Sequence, residues 1–77
     1  SIKDINLAAL FMERDDYVKV SFRSKGNFSV ERISRDFFDG GGHRNAAGAN
    51  CYIPLEVTVQ KFLSLLPQFK DRLSTVY

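Results

Sequence analysis

Tyr17-Val18-Lys19-Val20-Ser21-Phe22-Arg23 alternates strictly: Val18, Val20 and Phe22 fall on one side, Tyr17, Lys19, Ser21 and Arg23 on the other. Successive side chains of a strand point to opposite faces. An apolar and a polar face with a period of two is therefore the signature of a half-buried strand, and the β-branched and aromatic residues suit it. Arg14-Asp15-Asp16, just before, is a polar connection of hairpin length. The run Ile5-Asn6-Leu7-Ala8-Ala9-Leu10-Phe11-Met12-Glu13 thus reads as the partner strand, although its Ala and Leu favour a helix. Apolar on both faces, it is expected in the interior of the sheet.

Towards the C-terminus, Lys25-Gly26-Asn27 breaks the alternation with turn residues. Ser29 stands as an N-cap with Glu31 in the first turn, and Val30, Ile33 and Phe37 follow at helical spacing until Asp39-Gly40. Asp39 is expected to cap or terminate that helix. Gly40-Gly41-Gly42 cannot prolong it, since each glycine costs about 1 kcal/mol relative to Ala in a helix interior. Ala49-Asn50-Cys51-Tyr52-Ile53 reads as a short strand. Leu55, Val59, Phe62, Leu63 and Leu66 then form the stripe of an amphipathic helix, closed or kinked at Pro67. The order β-β-α-β-α indicates an α+β two-layer sandwich, a small mixed β-sheet with helices packed on it.

Length and composition bound what this fold can carry. Seventy-seven residues, 44% of them hydrophobic, make one domain, and a chain this short buries only roughly 60% of its unfolded surface. A deep site enclosed by this chain alone is excluded. No window approaches the ~20 apolar residues of a membrane span, and the first residues lack the layout of a signal peptide. No membrane partner is expected. The lone Cys51 and lone His43 give neither an internal disulfide nor a zinc cluster, so a reducing cytoplasm is the expected compartment. The chain opens at Ser1-Ile2-Lys3 and reads as a fragment of a longer polypeptide. A net charge of +2 is small, but residues 17–50 sum to +3 and residues 1–16 to −2. An anion would approach the middle of the chain.

That middle holds the one segment that does not resemble ordinary folding, Asp39-Gly40-Gly41-Gly42-His43-Arg44-Asn45-Ala46-Ala47-Gly48. Three consecutive glycines lose the most backbone entropy on folding, which suggests a need for bare backbone. Glycine-rich loops ahead of a helix present unobstructed N–H groups to phosphate or another anion. If Asn45-Ala46-Ala47 forms a helical turn, Gly40 to His43 lie at its positive end. A flexible surface loop is the plainer alternative. His43 and Arg44 add a titratable donor and a fixed charge, and a guanidinium matches phosphate oxygens as a fork. Ser21 and Arg23 share a face near a strand end with Ser24 just beyond, a second anion contact or, alternatively, a cross-strand salt bridge. No Lys-Ser/Thr follows the glycines, so this is not a Walker loop.

Ser21-Phe22-Arg23-Ser24 on a strand, followed by Gly40-Gly41-Gly42-His43-Arg44-Asn45-Ala46-Ala47-Gly48, resembles the DHH-associated C-terminal domain of DHH-family phosphoesterases over nearly the whole chain. That superfamily includes oligoribonucleases that also act on 3′-phosphoadenosine-5′-phosphate, single-strand-specific exonucleases, cyclic-dinucleotide phosphodiesterases and exopolyphosphatase-related proteins. The resemblance implies an N-terminal DHH domain of the same polypeptide holding two manganese ions, and a C-terminal domain that binds substrate across the cleft between them. Residue by residue it implies that Arg23 and Ser24 contact phosphate or nucleotide, and that Gly40, Gly41, Gly42 and His43 line the cleft. Arg44 and Asn45 stand beside them where the family varies more, and Ala46, Ala47 and Gly48 match its small-residue packing tail. Asp39 departs from the four glycines that many members carry.

The expected function is therefore the binding of a nucleotide or short single-stranded oligonucleotide for a manganese-dependent phosphoesterase. No cofactor and no catalytic residue are expected in this chain, which alone would be inactive. The alternative is a non-catalytic nucleic-acid-binding module such as the domain appended to alanyl-tRNA synthetase. Steeply salt-dependent phosphate contacts and stacking platforms among Phe22, Phe28 and Tyr52 would mark it.

Overall fold

In the computed structural model, which describes residues 7–69, the alternating segment is strand β2 (Val18–Ser24), paired with β1 (Leu7–Glu13) across the Asp15-Asp16 bend. Helix α1 (Val30–Phe38) follows, then β3 (Gly41–His43), β4 (Ala46–Cys51), helix α2 (Leu55–Leu65) and a closing 3₁₀ turn, Leu66–Phe69, that contains Pro67. The four strands stand in the order β1-β2-β4-β3. The two-layer α+β sandwich is the expected one, with three corrections. Gly41–His43 adds a strand, so the order is β-β-α-β-β-α rather than β-β-α-β-α. Every neighbouring pair is antiparallel rather than mixed. And β1, expected inside the sheet, is an edge strand, because β2 pairs on its other side with β4.

The β4 strand can take that inner place because it is narrow. Its Ala46-Ala47-Gly48-Ala49 stretch lets β3 and α1 close in on it. The expected helical turn at Asn45-Ala46-Ala47 does not form; Arg44-Asn45 is instead the two-residue turn of a β3–β4 hairpin, and β4 begins at Ala46. Intrinsic helix preference over three residues is a few tenths of a kcal/mol each, less than pairing on both edges of the strand supplies.

One face of the sheet carries the core. Val18, Val20 and Phe22 of β2 lie beside Cys51, Ala49 and Ala47 of β4 in register, all buried. Both helices pack on this face. Val30, Ile33 and Phe38 come from α1, and Phe62 and Leu65 from α2. The Phe22 ring lies 5.2 Å from Phe38 and 5.9 Å from Phe62, and Phe62 meets Phe11 edge-on at 5.7 Å. The α2 stripe shifts slightly from its expected composition: Thr58 and Leu65 are buried while Leu63 is exposed. Thr58 fits there because its hydroxyl donates to the Pro54 carbonyl at 3.0 Å.

No described element covers the other face. Its residues run in register rows across the strands: Ala8–Arg23–Ala46–His43, then Leu10–Ser21–Gly48–Gly41, then Met12–Lys19–Asn50.

Candidate functional site

The bare face brings together the two segments that the sequence singled out. Arg23 on β2 and His43 on β3 are both register partners of Ala46, one from each side. They stand two strands apart, about 9–10 Å between backbones, with only a methyl group between them. Both are exposed. One guanidinium nitrogen of Arg23 donates to the Phe22 carbonyl at 2.8 Å. Among the described residues the remaining N–H groups of the five that an Arg carries meet no carboxylate, and the cross-strand salt bridge considered as an alternative is not found among them. No Asp or Glu occupies any of the three register rows. In the next row Ser21 and Gly41 flank Gly48, so the floor beside the two charged groups is low and open.

The glycines divide by purpose. A Cβ on Gly40 would run into the Gly48 carbonyl, with the Ser34 hydroxyl 2.5 Å and the Ala49 Cβ 2.7 Å away. A Cβ on Gly42 would meet the Ala47 Cα and, at 2.7 Å, the Ala46 carbonyl, and its φ of 140° is one that few L-residues adopt. Both are therefore glycine for the fold. At Gly41 a Cβ would find nothing within 4 Å and φ is not positive. Nothing in the fold requires glycine there, and its bare backbone faces the open side. The cradle of amides at a helix N-terminus is absent, since the run is an edge strand and the Gly40 N–H donates to the Ser34 carbonyl at 2.8 Å.

Asp39 ends α1, as expected. It sits in the left-handed region at φ 57°, ψ 34° and its N–H also donates to the Ser34 carbonyl. Asp is among the few side chains that visit this region readily, which explains how it stands where the resemblance implied a fourth glycine.

Ser24 and Asn45 spend their polar groups on hydrogen bonds to one another and to nearby backbone. The Ser24 hydroxyl donates to the Phe28 carbonyl at 2.6 Å and accepts from the Asn45 amide at 2.9 Å; that amide also donates to Gly26 O at 3.2 Å. The Ser24 N–H donates to Asn45 O at 3.1 Å, and the first amide of α1, on Val30, donates to Arg44 O at 2.7 Å. Ser29 marks the helix start but makes no side-chain cap; Arg44 O satisfies one of the first-turn amides that have no partner within the helix. These bonds hold the Arg44-Asn45 turn, whose residues both have negative φ and so lack the primed geometry that two-residue hairpins prefer. The Arg44 side chain is exposed.

Ser34 escaped the sequence reading. It is wholly buried, and its hydroxyl donates to Gly48 O at 2.6 Å, stapling α1 to the hairpin. A serine on the apolar side of an amphipathic helix, between Ile33 and Phe37, was the available signal. Of the three aromatics named as stacking platforms, Phe22 and Phe28 are core, whereas Tyr52 is 73% exposed. Cys51 is buried, and desolvation pushes its thiol up, with the charge of Lys61 partly opposing. It is a packing residue. Among the described residues no helix is long and apolar enough to cross a membrane.

A two-layer sandwich whose uncovered face sets a strand-end Arg against a Gly-Gly-His strand defines a class, and comparison with known proteins identifies it. Residues 1–72 match the DHHA1 domain, and the chain belongs to that family, the DHH-associated C-terminal domains of DHH-family phosphoesterases. It is 40% identical over 52 residues to the bifunctional oligoribonuclease and PAP phosphatase NrnA of Bacillus subtilis (strain 168), a match covering 68% of this chain and 16% of that protein. Its fold superposes on an exopolyphosphatase-related protein from Bacteroides fragilis with a TM-score of 0.86 at 37% identity, covering 95% of this chain and 22% of the other. The chain thus spans less than a quarter of the length of either relative. Family membership supports a substrate-binding role.

Proposed function

We propose that this chain is the substrate-binding domain of a phosphoesterase that hydrolyses short oligonucleotides or nucleoside phosphates, the cut being made by a DHH domain N-terminal to it in the same polypeptide. The observation that carries the reading is the pairing of Arg23 and His43 across Ala46 on a face whose described register rows hold no carboxylate. Arg23 neutralises phosphate charge through its free N–H groups. His43 donates to a phosphate oxygen or orients it, and the bare backbone at Gly41 allows close approach. Ser24 and Asn45 act at one remove, by fixing the turn behind His43.

Two manganese ions belong, on this proposal, to the DHH domain. Among the described residues no three His, Cys, Asp or Glu side chains gather where they could hold a metal. These residues do not fit such a centre, and their part is to bind and orient the substrate. Residues 1–77 alone are accordingly proposed to be inactive, and the reducing cytoplasm is the proposed compartment.

The test is His43→Ala in the full-length protein, assayed on a nucleoside 3′,5′-bisphosphate and a dinucleotide. Turnover falls by at least the 10²-fold typical of a lost transition-state donor, with an unchanged melting temperature. Wild-type turnover in a folded variant overturns the assignment.

A further inference from the structure

Beyond the Arg23–His43 row the bare face continues to a feature that the binding of one phosphate does not use. β2 and β4 are in register through Val18 and Cys51, and one step further Tyr17 and Tyr52 meet, ring centroids 5.8 Å apart. Alternation puts this pair on the same side of the sheet as Lys19 and Arg23. Between the two ends lie Ser21, Gly48, Lys19 and Asn50. Lys19, Asn50 and Tyr52 border a concavity of about 620 Å³ that wraps round the outer edge of β4, where β3 stops pairing at Gly48, and reaches Lys61 on α2. Two lysines and one carboxylate, Asp39, line it. From the Arg23 row to the tyrosines is six residues of strand, roughly 20 Å.

We propose that this face is a track for a single-stranded oligonucleotide of at least three nucleotides, with one phosphate at Arg23 and His43, a second near Lys19 and Asn50, and a distal base stacked on Tyr52. The proposal rests on the function proposed above and names the length and chemistry of its substrate. Three observations support it. The residue types follow in the order cation, low polar floor, cation, exposed aromatic, the combination by which proteins hold single strands without reading sequence. At 3.4 Å per stacked nucleotide, 20 Å corresponds to about six, and to fewer when the strand is drawn out along the sheet. Past the tyrosines stands the bend with Glu13, Arg14, Asp15 and Asp16, net negative despite Arg14, which share a hollow with Tyr17 and Tyr52. It repels a further phosphate and so gives the track an end.

The experiment measures dissociation constants of the full-length protein, without turnover, for three probes: a nucleoside 3′,5′-bisphosphate, an RNA pentamer, and inorganic polyphosphate of comparable charge. Tyr52→Ala weakens the pentamer about tenfold, the loss of one stacked base, and leaves the bisphosphate and polyphosphate unchanged. Tyr52→Phe restores the pentamer. Lys19→Gln weakens both long ligands and lowers the slope of log K against log salt by about 0.7 for the pentamer, again sparing the bisphosphate. Equal losses for pentamer and bisphosphate in Tyr52→Ala, or no loss in either, overturn the track. So does polyphosphate binding as tightly as the pentamer, since the face then reads charge alone. Arg23→Ala is the separate control for the underlying reading: if it leaves bisphosphate binding intact, the phosphate site itself is misplaced, whatever Tyr52 does.

Discussion

The two faces of one sheet are made from alternate residues of the same strands, and they obey different rules. On the helix side, Val18, Val20, Phe22, Ala47, Ala49 and Cys51 are fixed by volume: each is buried and each touches a neighbour that would have to move if it changed. On the bare side, Lys19, Arg23, His43 and Asn50 are exposed and touch little. The fold makes no demand for a guanidinium at 23 or an imidazole at 43. A side chain that packing does not explain calls for another explanation, and here several such residues converge on one surface.

The sharpest way to break this contrast is to exchange the costs. Phe22→Ala removes the ring that meets Phe38 and Phe62 and is expected to cost about 3–5 kcal/mol of stability. Its sequence neighbour Arg23→Ala is expected to stay within about 0.5 kcal/mol of wild type while abolishing phosphate binding. Denaturant unfolding and ligand titration on the two variants check both halves. A destabilised Arg23→Ala would mean that the bare face carries structural load after all.

A second comparison sits inside three consecutive residues. Gly42→Ala forces a Cβ into Ala47 and Ala46 and is expected to destabilise by about 1–3 kcal/mol, as overpacking does. Gly41→Ala meets open space and is expected to be neutral or to stabilise by about 0.4–1 kcal/mol, through the stiffer unfolded chain. It should nevertheless weaken ligand binding if close approach at that backbone matters. Equal melting temperatures for the two variants would refute the division.

The smallest effect is a pH dependence on the covered face. Burial raises the Cys51 thiol above its ordinary 9.0, with Lys61 partly opposing, so the folded state holds this proton more tightly than the unfolded chain. The contribution is fully present below pH 9 and is lost as pH rises from there through the folded value. The stability difference between wild type and Cys51→Ala, followed upward from neutral pH by denaturant unfolding, should therefore narrow only on the alkaline side. A difference that stays constant sinks the assignment.

Much of this architecture is readable in the chain because period-two and helical patterns report directly on burial. β2, α1 and α2 announce themselves in that way, and alternation alone puts Lys19, Ser21 and Arg23 together. β3 and the start of β4 do not. Gly41-Gly42 and Ala46-Ala47-Gly48 have poor strand preferences, and what makes them strands is the close approach of Gly40 to Gly48, the Ser34 staple and pairing with β2, all long-range. The edge position of β1 was hidden for a similar reason: an apolar run on both faces signals an interior strand, yet Leu10 is 59% exposed on the bare side. The resemblance marked Arg23, Gly41 and His43 as a group; that Arg23 and His43 share a row, with Gly41 in the next, became visible only with the register. It could not separate Ser24 and Asn45, whose polar groups are taken up by hydrogen bonds within the chain, from residues that face a ligand.

The hydrogen bonds that lash the Arg44-Asn45 turn to Ser24 and to the first amide of α1 have a mechanical consequence. Arg23 and His43 sit on the two strands that flank Ala46 of β4, at an end that these bonds tie shut, so the backbone spacing between them is set before any ligand arrives. A ligand need not spend its binding energy on ordering a loop. The rigid gap behaves as a caliper: it rewards a group of matching width and cannot widen to accommodate one that is larger.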